Sequence, residues 1–347
     1  MKQYLILIVA FLNFSSYAQE IFEYESRIPT VEKYQSKEIS FENALEGIKL
    51  SGTLIEPDNE EYQKVIIIVP GSGLDTRHSH YLLSENLLKN NIAVFRYDER
   101  GVNKSEGSNS NVSYGVTKIT NDLIAAITKI KSNYENSEIK IGLIGHSQGG
   151  LSTINAVKTN ADIDFLVQWA TPVQKYGEFL KYQIRTGVNT FDKELIFDDL
   201  EEKIEIISIV QDVISENPGM DDLKLSKELK KVTRKHGYKR KNYDRYTLWT
   251  FPSRKDLLRQ NNEITYKELK IPMLYIIGSE DIFVDPRTNV GFLESLQNDN
   301  IQIIELQELN HFLSKEKMVP NELNMSKTLY EMDQEALDSI TNWILER

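Results

Sequence analysis

Residues 139–156 read I-K-I-G-L-I-G-H-S-Q-G-G-L-S-T-I-N-A, and they decide the fold class of the chain. The apolar, β-branched run over Ile139–Ile144 predicts a buried strand, and Leu151–Lys158 has the spacing of a helix. Between them, residues 145–149 fit the pattern G-x-S-x-G, which sets Ser147 on a sharp strand-to-helix turn above a sheet. A side chain at either glycine would collide with the neighbouring strand or helix. The stretch therefore predicts an exposed serine nucleophile, the alternative being a glycine-rich turn that serves packing alone.

Outward from this stretch, short buried strands alternate with amphipathic helices. This alternation, with short connections, predicts a mainly parallel sheet covered by helices. Strands are predicted at 37–56 (two strands around a turn at Asn43–Gly47), Val65–Val69, Ile92–Tyr97, Asp164–Trp169, Met273–Ile277 and Ile301–Leu306, and helices at Tyr81–Lys89, Asp122–Ile130 and Gln334–Leu345.

The alternation stops at Pro172, and residues 173–265 are mostly helical in pattern and heavily charged. Because strand patterns resume afterwards, we interpret this segment as a helical cap inserted into one core domain of residues 19–172 and 266–347. Within it, an acidic stretch (192–205) and a basic stretch (227–245) are most simply two solvated helical faces. The alternative is that the basic stretch recruits an anionic substrate.

A serine needs an adjacent base, and after such an elbow the acid and then the histidine follow along the chain. Only His236 and His311 come after Ser147. His236 lies in a hydrophilic run of the predicted cap, whereas His311, in L-N-H-F, follows the last predicted strand. We expect His311 to be the base; a surface-loop histidine is the alternative.

The acid is expected after the preceding strand, in P-M-L-Y-I-I-G-S-E-D-I-F-V-D-P. Asp281 follows the strand end at a distance that suits a short loop, so that its carboxylate can orient the imidazole. Asp285 precedes Pro286 and is expected to cap the next helix, with the proline at its first position. Glu280 is expected to face solvent.

An oxyanion hole requires backbone N–H groups directed at the developing negative charge. We expect one from Gln148, the residue after the nucleophile, and one from Pro70-Gly71-Ser72-Gly73, with Ser72 preferred to Gly73. The dinucleotide fingerprint G-x-G-x-x-G fails at its last position, Thr76. His78 and His80 lack a completing ligand set, so we expect two polar surface residues and no metal.

These segments together resemble the bacterial serine esterases of the α/β-hydrolase superfamily, including those described as lysophospholipases or prolyl-oligopeptidase-like hydrolases. The matching pieces are V-I-I-I-V-P-G-S-G, V-F-R-Y-D-E-R-G-V-N-K-S-E-G, I-G-L-I-G-H-S-Q-G-G, P-M-L-Y-I-I-G-S-E-D-I-F-V-D-P and L-N-H-F. The resemblance implies the α/β-hydrolase fold, a covalent acyl-enzyme and no cofactor. Relatives often have G-S-G-P followed by Asp-Arg, whereas here Leu74-Asp75-Thr76-Arg77 follows Gly73, which puts substrate contacts of that loop in doubt.

Composition narrows the range of partners. The 347 residues carry 52 acidic and 41 basic side chains, a net charge of −11, and so large an acidic excess disfavours non-specific binding of nucleic acid. The absence of cysteine excludes disulfides, thiolate metal sites and a cysteine nucleophile. The expected partner is a small-molecule ester, and the sequence leaves the oligomeric state open.

The first residues, M-K-Q-Y-L-I-L-I-V-A-F-L-N-F-S-S-Y-A-Q-E, have the layout of a secretory signal peptide. Lys2 precedes the apolar run Tyr4–Leu12, and small residues at Ser16 and Ala18 suit a cleavage site. A membrane anchor is the alternative, but the run is well short of the ~20 residues that span a bilayer. We expect cleavage after Ala18 and export to the periplasm or medium, with no stable membrane anchor in the mature chain.

Two other functions remain open at this point. A peptidase or amidase could use the same groups, because ester and amide cleavage both pass through a tetrahedral oxyanion. A non-catalytic binding protein on the same scaffold is the second alternative, although it would normally have lost one of the three candidate residues.

Overall fold

The structure, a computed structural model, describes residues 34–58, 62–73, 75–110, 113–135, 137–159, 161–188, 200–235, 251–320 and 331–347. The predicted signal peptide and His236 lie outside these residues. So do residues 192–199 and 236–245 of the two charged stretches.

The described strands form one eight-stranded sheet in the order β1-β2-β4-β3-β5-β6-β7-β8. The strands are β1 (Tyr34–Asn43), β2 (Ile48–Pro57), β3 (Lys64–Val69), β4 (Ala93–Tyr97), β5 (Lys140–His146), β6 (Phe165–Trp169), β7 (Met273–Gly278) and β8 (Ile301–Leu306). The β1–β2 and β2–β4 pairs are antiparallel and all other pairs are parallel. The predicted mainly parallel sheet is confirmed, and the carboxyl ends of β3 to β8 meet at one edge.

Helices cover both faces of the sheet, as the alternating pattern predicted. They are α1 (Tyr81–Lys89), α2 (Val116–Asn133), α3 (Gln148–Lys158), α4 (Phe179–Thr186), α5 (Leu200–Glu216), α6 (Asp222–Lys235), α7 (Pro252–Leu258), α8 (Glu263–Lys267), α9 (Pro286–Ser295) and α10 (Gln334–Leu345). Helix α2 begins six residues before the predicted start at Asp122. Val116 and Ile119 extend its buried stripe at helical spacing, which explains the longer element.

Strand β7 pairs directly with β6, although about a hundred residues separate them along the chain. The described part of that segment contains α4 to α8 and no strand. Its buried apolar residues form a second cluster, which includes Ile207, Leu229 and Leu258 and also takes in Val116 of α2 and Leu151 of α3. These helices therefore pack on the core helices near the carboxyl edge of the sheet, and the interpretation of residues 173–265 as an inserted cap stays a prediction.

None of the helices within the described residues is both long enough and apolar enough to cross a membrane.

Candidate active site

Ser147 lies on the turn between β5 and α3, where its backbone has a positive φ of 51° and ψ of −118°. Such backbone is costly for a residue other than glycine, by about 1–3 kcal/mol, and persists only where its surroundings fix it. A Cβ on Gly149 would lie 2.2 Å from the Pro70 carbonyl oxygen, and one on Gly145 would lie 2.6 Å from the Cα of Gly150. The steric reason for both motif glycines is therefore confirmed, and the turn lifts the Ser147 side chain above the sheet.

His311 and Asp281 meet through a hydrogen bond of 2.7 Å between Nδ1 and Oδ2. Asp281 follows β7 and His311 follows β8, so the neighbouring ends of two parallel strands bring together residues thirty positions apart. The other carboxylate oxygen of Asp281 accepts the backbone N–H groups of Phe283 at 2.7 Å and Val284 at 2.9 Å. These bonds fix the carboxylate, and the carboxylate in turn fixes the imidazole.

Contacts to both the backbone and the ring hold His311 in place. The indole N–H of Trp169 donates to the His311 carbonyl oxygen at 3.2 Å. The Phe283 ring lies 4.8 Å and the His146 ring 5.0 Å from the His311 ring, centroid to centroid. Ser147 and His311 line the same cavity, and no hydrogen bond joins their side chains in this state. Unliganded active sites often show loose contacts of this kind that tighten on substrate binding.

The three expected oxyanion donors line the cavity beside Ser147. The backbone N–H groups of Ser72, Gly73 and Gln148 donate to no acceptor among the described residues. Gln148 begins α3, whose first N–H groups have no partner within the helix. The geometry therefore leaves free donors on both sides of the nucleophile.

The loop that carries Ser72 and Gly73 is anchored by a buried ion pair. The Arg77 guanidinium donates to Asp98 Oδ2 through Nε at 3.0 Å and Nη2 at 2.7 Å, and the Arg77 backbone N–H donates to Oδ1 at 3.0 Å. Both side chains are almost fully buried. Removal of either partner would leave a buried charge unpaired, so this pair holds the loop after β3 to the end of β4.

The site opens into a cavity of about 390 Å³ at the carboxyl edge of the sheet. Its lining includes apolar side chains from the segment after β6 and from the loops that carry Asp281 and His311: Phe179, Leu180, Val188, Leu257, Phe283 and Phe312. It also includes the polar residues Asp75, Glu99, Asn109, Tyr114 and Arg254. The volume is within the range usual for small-molecule sites.

The expectation that His80 is a polar surface residue is wrong. His80 is 5 % exposed, its Nε2 lies 3.1 Å from Nδ1 of His146, and its ring packs edge-on against Trp169. Burial lowers the pKa of His80 to about 3 and, chiefly for the same reason, holds that of His146 well below its usual range. Both imidazoles are thus neutral at pH 7 and form a packed wall behind the His311 ring. Their apolar neighbours are distant along the chain, so no local pattern shows this burial.

Asp285 directly precedes α9, and Pro286 is the first helical residue, as predicted. The cap itself differs, because the Asp285 carboxylate accepts the hydroxyl of Thr288 and no backbone N–H. Glu280 is exposed, in agreement with the sequence. Neither side chain contacts His311, whereas Asp281 does.

No cluster of three or more histidine, aspartate or glutamate side chains suited to a metal ion occurs in the described part of the chain.

Comparison of the sequence with protein-family models finds a match. Residues 60–318 match the family model described as serine aminopeptidase, S33, which covers well over half of the chain. The chain belongs to this family. It is a serine hydrolase of the α/β-hydrolase fold, which confirms the fold and enzyme class predicted from the elbow and the strand pattern.

Solved structures agree with the S33 family at the level of the fold. The esterase Pf2001 of Pyrococcus furiosus superposes with a TM-score of 0.57 at 19% identity, over 90% of this chain and 91% of that one. The protein PA2218 of Pseudomonas aeruginosa gives 0.54 at 15% identity, over 90% and 95% of the two chains. A search of curated proteins found no significant match.

Proposed function

We propose that this S33-family chain is an exported hydrolase of carboxylic esters, with Ser147 as nucleophile, His311 as base and Asp281 as the orienting acid. The observation that carries the proposal is the buried 2.7 Å bond between His311 Nδ1 and Asp281 Oδ2, made beside a serine on a strained elbow. With Nδ1 engaged in this bond, Nε2 is the nitrogen that can accept the serine proton.

The reaction would begin with attack of Ser147 Oγ on the ester carbonyl as His311 takes the hydroxyl proton. The N–H groups of Gln148 and of Ser72 or Gly73 would stabilise the oxyanion. Because these donors already lack partners among the described residues, they need no rearrangement to do so. His311 would then give its proton to the departing alcohol, leaving an acyl-Ser147 ester, and a water activated by the same histidine would release the acid.

Ester rather than peptide cleavage is supported by the small cavity and its apolar side, which includes Phe179, Leu180 and Phe312. The family description favours the second candidate, an aminopeptidase or amidase, because it names serine aminopeptidases. Both candidates use the same groups in the same order, so only turnover separates them.

The first prediction separates these two candidates. We expect p-nitrophenyl esters of short and medium fatty acids to give kcat/KM at least about 100-fold above aminoacyl p-nitroanilides, because ester leaving groups need less protonation by the histidine. The measurement is initial rates for both panels with one purified preparation. A fluorophosphonate probe with peptide mapping should label Ser147 alone. An aminoacyl p-nitroanilide whose kcat/KM comes within about 100-fold of the ester value would favour the aminopeptidase. A probe that labels a residue other than Ser147 would reject the triad.

We also expect that export removes the first eighteen residues of the chain. The charged Lys2, the apolar run Tyr4–Leu12 and the small residues at Ser16 and Ala18 support removal of residues 1–18 by a signal peptidase. N-terminal sequencing of the protein recovered from the periplasm or medium should begin at Gln19. Exported protein that still begins at Met1 would contradict the prediction.

A further inference from the structure

Two acidic residues that the proposed reaction does not use, Asp75 and Glu99, are hydrogen-bonded neighbours in the cavity wall. The backbone N–H of Asp75 donates to Glu99 Oε2 at 3.0 Å, and the backbone N–H of Glu99 donates to the Asp75 carbonyl oxygen at 3.3 Å. These reciprocal bonds tie the loop after β3 to the loop after β4. Glu99 is 2 % exposed, and both residues line the cavity that contains Ser147.

No cationic side chain is among the causes of the raised pKa of either Asp75 or Glu99. Burial alone raises the pKa of Asp75 to about 7. Burial and the neighbouring Asp75 raise that of Glu99 well above its usual range. Two nearby arginines are engaged elsewhere: Arg77 binds Asp98, and Arg100 binds Asp122 and Glu46. Carboxylates desolvated in this way gain most from a positive charge brought by a ligand.

A second, independent observation at the same place is the hydroxyl of Tyr114. Tyr114 is 7 % exposed and lines the cavity, and its buried oxygen makes no hydrogen bond of ordinary geometry to a described residue. It lies near enough to Glu99 to help lower the pKa of that group. The buried Nδ2 of Asn109, on the same wall, also lacks a described partner. Buried polar atoms are rarely left unpaired, so this wall has unused capacity for a polar ligand.

The strand order separates the polar wall from the apolar one. Strands β3 and β4 lie on one side of β5, and β6 to β8 lie on the other. Asp75, Glu99 and Tyr114 follow β3 and β4. Phe179, Phe283 and Phe312 follow β6, β7 and β8. The cavity therefore has Asp75 and Glu99 on the β3–β4 side of Ser147 and aromatic rings on the β6–β8 side.

We infer that Asp75 and Glu99 form a specificity subsite for an ammonium group, so that the preferred esters carry a positive charge on one side of the scissile bond and an apolar group on the other. The inference rests on the proposed hydrolase function and deepens it. Arg254, from α7, also lines the cavity. Its guanidinium is not among the causes of the raised pKa of Asp75.

The test compares charged esters with neutral esters of the same shape. In the alcohol series, choline butyrate is paired with 3,3-dimethylbutyl butyrate. In the acyl series, the p-nitrophenyl ester of 4-(trimethylammonio)butanoate is paired with that of 5,5-dimethylhexanoate. At pH 8, above the pKa of Asp75, the charged member should have the higher kcat/KM in at least one series, by about tenfold or more.

Variants assign the preference to the pair. Asp75→Asn and Glu99→Gln each keep the shape but remove a carboxyl group that can ionise, and the ratio of kcat/KM for the charged and neutral esters should fall towards one. Glu280→Gln is the matched control, because it removes an exposed carboxylate beside Asp281 that does not line the cavity. Its ratio should equal that of the wild type.

Two results would overturn the inference. One is a wild-type enzyme that hydrolyses the neutral esters and shows no preference for the charge in either series. The other is a preference that survives in both Asp75→Asn and Glu99→Gln. Failure of the hydrolase function looks different: neither member of any pair is cleaved and the fluorophosphonate does not label Ser147, in which case the subsite falls with the function.

Discussion

Replacement of Ser147 by alanine is expected to lower kcat for ester hydrolysis by about 10⁶-fold, because the variant has no oxygen to form the acyl-enzyme. The free N–H groups of Ser72, Gly73 and Gln148 remain, so a small residual rate over water is expected from transition-state stabilisation alone. The measurement is kcat on a p-nitrophenyl ester, with loss of fluorophosphonate labelling in the same sample.

Ser152→Ala is the matched control for this variant. Ser152 lies on the same helix α3, is fully buried and donates to the Val116 carbonyl oxygen at 3.3 Å, but it does not line the cavity. Loss of this hydroxyl should cost about 1 kcal/mol of stability and leave hydrolysis and labelling in place. Turnover by Ser147→Ala near the wild-type rate would show that another residue is the nucleophile.

The second large effect is expected at Asp281. Asp281→Asn should lower kcat by about 10⁴-fold, the loss known for the equivalent change in a serine-protease triad. The amide oxygen can keep the bonds from the Phe283 and Val284 N–H groups, so the Nδ2 amide then faces His311 Nδ1. Nδ1 must become an acceptor, the proton moves to Nε2, and the imidazole can no longer take the serine proton.

Asp285→Asn is the matched control, four residues along the same loop. The Asn side chain can still accept the Thr288 hydroxyl, and the first helical position remains Pro286, so rate and thermal melt should both change little. Both variants require matching melts, so that unfolding is not mistaken for lost chemistry. A crippled Asp285→Asn beside a nearly normal Asp281→Asn would reverse the assignment of the acid.

The amino-acid sequence does not show which side chains meet in the walls of the cavity. Asp75 and Glu99 belong to different loops, and nothing in either loop by itself indicates that the two residues are hydrogen-bonded to each other. The sequence signal at Asp75 is the departure of Leu74-Asp75-Thr76-Arg77 from the pattern of related esterases, whereas Glu99 lies in a segment that matches that pattern. His80 is similar: its burial depends on His146 and Trp169, which the sheet brings from two other strands.

The strands, the core helices and the serine turn follow from the amino-acid sequence alone, because they depend on short-range chemistry. Apolar periodicity located the strands and the helices α1, α2, α3 and α10, and steric exclusion at Gly145 and Gly149 marked the serine turn. The order of elements then indicated which loops hold the candidate base and acid. The choice of Asp281 over Asp285 was a matter of loop length, and the tertiary structure decided the contact: one carboxylate reaches His311, whereas the other turns to Thr288. Only the fold decided the burial and mutual distance of groups far apart in the chain, because long-range contacts set the desolvation of Asp75, Glu99 and the two buried histidines.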